Sequence, residues 1–260
     1  MRAMSPPAQR PPVPLPARLW IARHGESAGN VALAAALASG DHFIDVSARD
    51  ADVPLSTLGE RQARALGRWF AQCGADDQPT VVFSSPYLRA RQTAEILIEA
   101  ANLPGVSFLT DERLREREFG VLNRMTKHGI HALMPDQAEL RQTIGKFYYR
   151  PPGGESWCDI LLRLRSLWSS LREDYGSGRV LLVCHSVITL CFRSILENLR
   201  EEDILRIDAE SEIANCSLTS YLPRQTPGSP GLDLQTFNFV APVEQAGEQV
   251  TREPDAPRAK

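Results

Sequence analysis

No stretch of this chain is long and apolar enough to suggest a membrane-spanning helix. Its start also lacks the apolar segment of a secretion signal. Cysteine is scarce: Cys73, Cys158, Cys184, Cys191 and Cys216 are an odd number with no CxxC pair, which favours neither a disulfide framework nor a zinc site. Charge of one sign is lacking too. With 29 Lys and Arg against 32 Asp and Glu, the net charge of −3 gives no ground for a nucleic-acid or membrane partner. There is no internal repeat. These absences lead to the expectation of a cytoplasmic, soluble protein with reduced thiols and no cofactor. They leave its oligomeric state open.

What is present is an ordinary globular composition, 43% hydrophobic over 260 residues. Residues 1–16 are proline-rich, with Pro6-Pro7 and Pro11-Pro12, and read as an extended, disordered leader. Residues 241–260 are charged and aperiodic and read as a flexible tail. Between them, 17–240 reads as one domain. Short apolar runs alternate with helical patterns, which predicts an α/β fold with a mostly parallel sheet.

Leu19–Ala22, Thr80–Phe83 and Val180–Cys184 are predicted as buried strands. Thr57-Leu58-Gly59-Glu60 has the form of a capping box opening a helix whose apolar face includes Leu66, Trp69 and Phe70. Ser85 and Pro86 suit the cap and first position of another helix, with Arg89 about one turn in. Trp157, Ile160, Leu161, Leu164, Leu167, Trp168 and Leu171 form a long apolar stripe introduced by Ser156 and Asp159. Val187–Leu199 reads as a helix, and Ile213–Leu222 and Leu232–Val240 as late strands joined by a Pro/Gly turn.

Chemistry collects where the buried strands end. Arg23-His24-Gly25-Glu26-Ser27 follows the first strand, Ser84-Ser85-Pro86-Tyr87-Leu88-Arg89-Ala90-Arg91 the second, and His185 the third. A phosphate monoester needs cationic donors, and the planar guanidinium fork supplies two parallel hydrogen bonds while staying charged. Arg23 and Arg89 are the leading pair. A neutral imidazole nitrogen can act as nucleophile in phosphoryl transfer.

The order and spacing of these segments resemble the histidine phosphatase superfamily, in its phosphoglycerate-mutase-like branch. The resemblance implies that fold, with helices on both faces of the sheet. It also implies a metal-independent phosphoric monoester hydrolase acting through a phosphohistidine. By motif, the nucleophile falls on His24, phosphate ligands on Arg23, Asn30 and Arg89, and a second, charge-stabilising histidine on His185. Asn30 also fits a helix cap. Leu114-Arg115-Glu116-Arg117-Glu118-Phe119-Gly120 resembles the family's acid/base segment and places that carboxylate on Glu116, with Glu118 as competitor.

Pro151-Pro152-Gly153-Gly154-Glu155-Ser156 is also similar to a family segment, and Arg150 just before it is a candidate for touching substrate. The expected partner is a small phosphorylated metabolite. A phosphoglycerate-type mutase and a phosphate-binding pseudo-phosphatase remain alternatives. The extra stretch between Asn30 and Leu55 and the short span between Glu116 and His185 depart from the dimeric mutases and favour the phosphatase members. His128, His131 and Glu139 lack the pattern of a metal site.

Overall fold

The computed structural model describes residues 14–226 and 230–254. In chain order, β1 is Arg18–Arg23, α1 Ala28–Ser39, α2 Thr57–Gln72, β2 Val81–Ser84 and α3 Leu88–Ala100. Then come β3 Ser107–Thr110, α4 Lys127–Leu133, α5 Pro135–Ile144 and α6 Trp157–Tyr175. β4 Arg179–Cys184, α7 Ser186–Glu197, α8 Glu201–Glu210, β5 Leu218–Pro223, β6 Leu232–Phe239 and α9 Ala241–Gln245 complete the series. The strands form one sheet in the order β3-β2-β4-β1-β5-β6. The first four of these run parallel, and β5 and β6 are antiparallel.

Alternation along the central strands divides the core in two. Leu19 and Ile21 of β1, with Val180 and Leu182 of β4, pack on one face against the α6 stripe and α7. Trp20 and Ala22, with Leu181 and Val183, pack on the other against Leu66 and Phe70 of α2 and Leu97 of α3. Both faces are covered, so these strands are apolar throughout rather than alternating. Gly67 lets α2 lie close on α3: a Cβ there would meet the Leu97 carbonyl oxygen at 2.5 Å.

Several boundaries move from their predicted places. The cap of α2 is Ser56, whose hydroxyl accepts from Gly59 N, not Thr57. Tyr87 precedes α3, so Ser85 is released from capping and Arg89 is the second helical residue. Ile213–Ser217 is a loop rather than the start of a strand, and β5 begins at Leu218. The alanine-rich stretch after Asn30 is a helix, α1, closed by Gly40 in the left-handed region at φ 75°. The expected leader falls almost wholly outside the described residues.

The expected tail needs correction over its described part. Within 241–254, α9 packs on α2, Val243 is buried in the second core, and Thr251 is buried and bonded to Asn215 and Gln62. Charged and Gly/Pro-containing composition hid a segment held mainly by its backbone carbonyls.

Candidate active site

Sheet register assembles the site. Arg23 of β1 lies beside Cys184 of β4, and Ser84 of β2 beside Val183. His24 N then donates to Cys184 O at 2.9 Å, and Ser85 N to Val183 O at 2.9 Å. The carboxyl ends of three adjacent parallel strands thus deliver His24, Ser85 and His185 to one edge, the usual place for a ligand in such sheets. Gly25 and Gly59 allow the turn after His24 to press on α2. A Cβ on Gly59 would stand 2.0 Å from the Glu26 carbonyl oxygen.

Both histidines are completely buried. Their rings lie 5.1 Å apart, edge to face. His24 Nδ1 is 2.6 Å from the Gly25 carbonyl oxygen, an acceptor only, so Nδ1 carries the proton. Arg89 donates its Nε–H to His24 Nε2 at 3.3 Å. That contact needs a lone pair on Nε2, so the ring is neutral with its unprotonated nitrogen facing the guanidinium. His185 Nε2 is 2.9 Å from the Ser85 hydroxyl.

Glu116 is buried, with its Oε2 3.6 Å from His185 Nδ1 and its Oε1 accepting from Arg117 N at 2.7 Å. Its loop is braced by Glu155 and Arg163. Arg163 donates to the Arg113 carbonyl at 2.5 Å and to Glu155, and Glu155 accepts from Glu118 N and Arg115. Glu118 turns the other way, its Oε1 accepting from Phe119 N and Gly120 N at 3.0 Å each. Of the two candidate acids, Glu116 is the one brought to the histidines.

The three residues expected to hold phosphate are engaged by the protein's own oxygens. Arg23 donates to Ile213 O at 2.6 Å and Glu253 O at 2.5 Å. Asn30 uses its Oδ1 to accept from Ser27 N and its Nδ2 to donate to the carbonyls of Glu253 and Pro254. It therefore completes the capping box of Ser27, the cap of α1, and also belongs to the site. Arg89 NH1 donates to the Asp50 carbonyl at 2.7 Å and its carboxylate at 3.0 Å.

Arg23, His24, Asn30, Arg89, Glu116 and His185 gather here. Arg150 does not: its guanidinium is largely exposed and paired with Asp159 at the start of α6. His128 and His131 are exposed on α4, and no group of three metal-ligating side chains occurs among the described residues. Sequence reasoning missed Ser85 as a histidine partner, along with Asp50 and the closing 249–254 segment. It also missed Tyr87, whose ring lies 5.0 Å from the Arg89 guanidinium and 5.3 Å from His185. Its position inside the Ser84–Arg91 motif was the available signal for Tyr87.

Residues 19–228 match the histidine phosphatase superfamily (branch 1). A 2,3-bisphosphoglycerate-dependent phosphoglycerate mutase 2 of Gloeobacter violaceus is 32% identical over 161 residues, 61% of this chain and 71% of that protein. A probable phosphoglycerate mutase of Yersinia enterocolitica is 29% identical, over 81% of this chain and 86% of its own. Among solved structures, a mycobacterial glucosyl-3-phosphoglycerate phosphatase complexed with VO3 has a TM-score of 0.63 at 26% identity. That match covers 85% of this chain and 99% of the other.

Proposed function

The chain belongs to the histidine phosphatase superfamily, and from that premise we propose that it hydrolyses a small phosphate monoester through a phosphohistidine on His24. The observation that carries this reading is the state of His24: buried, neutral, with Nε2 directed at Arg89, and with Glu116 3.6 Å from the neighbouring His185. A phosphoryl group takes the place of the oxygens now on Arg23, Asn30 and Arg89. His24 Nε2 forms a bond to phosphorus as the bond to the ester oxygen breaks. Glu116, protonated, gives its proton to the departing alcohol. Water then attacks the phosphohistidine while Glu116 takes its proton. The phosphorus–nitrogen bond breaks, its electron pair returns to Nε2, and inorganic phosphate leaves.

Arg23 and Arg89 supply fixed positive charge, and His185 a further hydrogen-bonding group, in a buried site where such interactions are strongest. The arginines thus do the work a metal does elsewhere. A cytoplasmic setting is proposed from the five cysteines, all of which are free thiols.

The test is phosphate release from an aryl phosphate in the presence of a chelator, with His24→Ala as control. Brief exposure to a labelled ester should leave label on His24 that survives base and is lost in acid. Label with the opposite stability, or an unchanged rate in His24→Ala, overturns the reading. A mutase reading, raised by the relatives named above, requires that 3-phosphoglycerate with a bisphosphate primer isomerise far faster than any ester releases phosphate.

A further inference from the structure

Resting on the hydrolase reading, we propose that Ser85 is a positioning residue. Its hydroxyl donates to His185 Nε2, which fixes the ring proton on Nδ1 and turns that N–H toward Glu116. Ser85 stands just past the end of β2, and its backbone N–H donates to Val183 O at 2.9 Å, two residues before His185 on the adjacent strand. The Ser85 hydroxyl lies 2.9 Å from His185 Nε2. Both residues are completely buried, where polar groups need partners.

The direction of this hydrogen bond follows from what else surrounds the hydroxyl. Ser85 Oγ already accepts from Tyr87 N at 3.3 Å, and the Ser84 hydroxyl donates to the Ser85 carbonyl at 2.9 Å instead of to that oxygen. Among the described residues, the Ser85 proton therefore has His185 Nε2 as its acceptor. Reversing the bond would bury a hydroxyl proton without one, which is costly. With its Nε2 lone pair accepting, the imidazole is neutral and carries its hydrogen on Nδ1. Nδ1 stands 3.6 Å from Glu116 Oε2, so the N–H faces that oxygen. With Glu116 ionised, the opposite tautomer would set a bare nitrogen against it. Packing holds the ring in this pose: His24 and Tyr87 meet it edge to face at 5.1 and 5.3 Å. Its backbone carbonyl accepts from the Thr189 N–H at 3.1 Å and the Thr189 hydroxyl at 3.2 Å. His185 adjoins both the proposed nucleophile and the proposed acid, so both feel an error in its tautomer or tilt. Ser85 acts on them through that ring.

The tautomer is read by long-range proton–nitrogen NMR on the full chain, labelled in its histidine rings and free of phosphate. Protonated and bare ring nitrogens resonate far apart, and His185→Gln identifies this ring among the five histidines. The natural chain should show His185 with Nδ1–H and a bare Nε2. The reverse tautomer there overturns the proposal, whatever the variants do. Ser85→Ala should bring in a population with Nε2–H and lower kcat by up to about a hundredfold, with KM little changed. Ser85→Thr, which keeps the hydroxyl, should retain the Nδ1–H form and recover most of that kcat. An unaltered tautomer in Ser85→Ala overturns the proposal. So does a Ser85→Thr chain that keeps the tautomer and yet loses as much kcat as Ser85→Ala. The spectra need no turnover, so a failure to release phosphate would count against the hydrolase reading alone.

Discussion

Arg89 and His24 are joined through Nε–H and Nε2 at 3.3 Å, so the guanidinium proposed to hold the phosphate also keeps the proposed nucleophile in its neutral form. An imidazolium at His24 would place a proton and a positive charge against that guanidinium, and both disfavour it. The arrangement keeps the ring neutral without a separate base, and a phosphoryl oxygen that draws the Arg89 Nε–H away would free the lone pair for attack.

From this pairing, Arg89→Lys should be far from conservative. A lysine keeps the charge but cannot donate to His24 and to a phosphoryl oxygen along the fixed directions of the fork. We expect kcat/KM to fall by about two orders of magnitude, with most of the loss in kcat, since positioning is spent in the transition state. A loss confined to KM would show that Arg89 only binds.

Glu116→Gln should slow esters of poor alkyl leaving groups by roughly 10²–10⁴ while sparing those with good aryl leaving groups, which need little protonation. Glu118→Gln should show no such dependence on leaving group, because that carboxylate caps Phe119 N and Gly120 N. The reverse pattern would move the acid two residues along the chain. Steady-state rates over a series of esters graded by leaving-group pKa decide between them.

The segments that carry His24, Arg89 and His185 were legible because each follows a strand buried on both faces, and such strands are continuous apolar runs, whereas Glu116 was legible only through the resemblance of its own segment. What escaped had weaker signals. The edge strand Ser107–Thr110 is half polar and mostly exposed, so no alternation marks it. α1 is half alanine and largely apolar around its circumference, with little contrast between faces. Ser56 and Thr57 both suit a cap, and adjacent equivalents allow a one-residue slip. The closing segment reaches Arg23 and Asn30 through backbone oxygens, which leave no trace in residue identity.

Gly59→Ala sets two effects against each other. Alanine favours a helix by about 1 kcal/mol over glycine. At this position the added Cβ would stand 2.0 Å from the Glu26 carbonyl oxygen, which is backbone and cannot swing aside. Overpacking of that kind costs about 1–3 kcal/mol, so the clash should win. We expect a lower denaturation midpoint and, because Glu26 lies two residues from His24, a reduced kcat. A stabilised variant would show that the α2 contact gives way easily.

Asp159 should make the start of α6 sensitive to acid. Burial alone would raise its pKa, but the Ser156 hydroxyl and amide, followed by Arg150, outweigh it and hold the carboxyl below its ordinary value. A depressed folded-state pKa contributes stability that is full above the unfolded value and is lost as pH falls through the folded one. Thermal midpoints followed downward from pH 6 should therefore decline less steeply in Asp159→Asn than in the natural chain. Parallel curves would remove this carboxyl from the acid response.

Removing residues 252–260 should open the phosphate site. Glu253 and Pro254 place carbonyl oxygens on Arg23 and Asn30, the donors that the proposed function assigns to a phosphoryl group. Thr251 remains in the shortened chain, so its bonds to Asn215 and Gln62 still anchor the segment behind the site. Arg23 also keeps its contact with Ile213 O, which holds the guanidinium in place without the last residues. A hydrogen bond to a charged donor is worth about 1.5–3 kcal/mol, so losing this competition should tighten binding of inorganic phosphate or vanadate by about tenfold. The measurement is inhibition of aryl phosphate hydrolysis by each anion, on chains shown by thermal unfolding to be equally folded. Weaker inhibition after truncation would mean that the segment builds the phosphate site instead of occupying it.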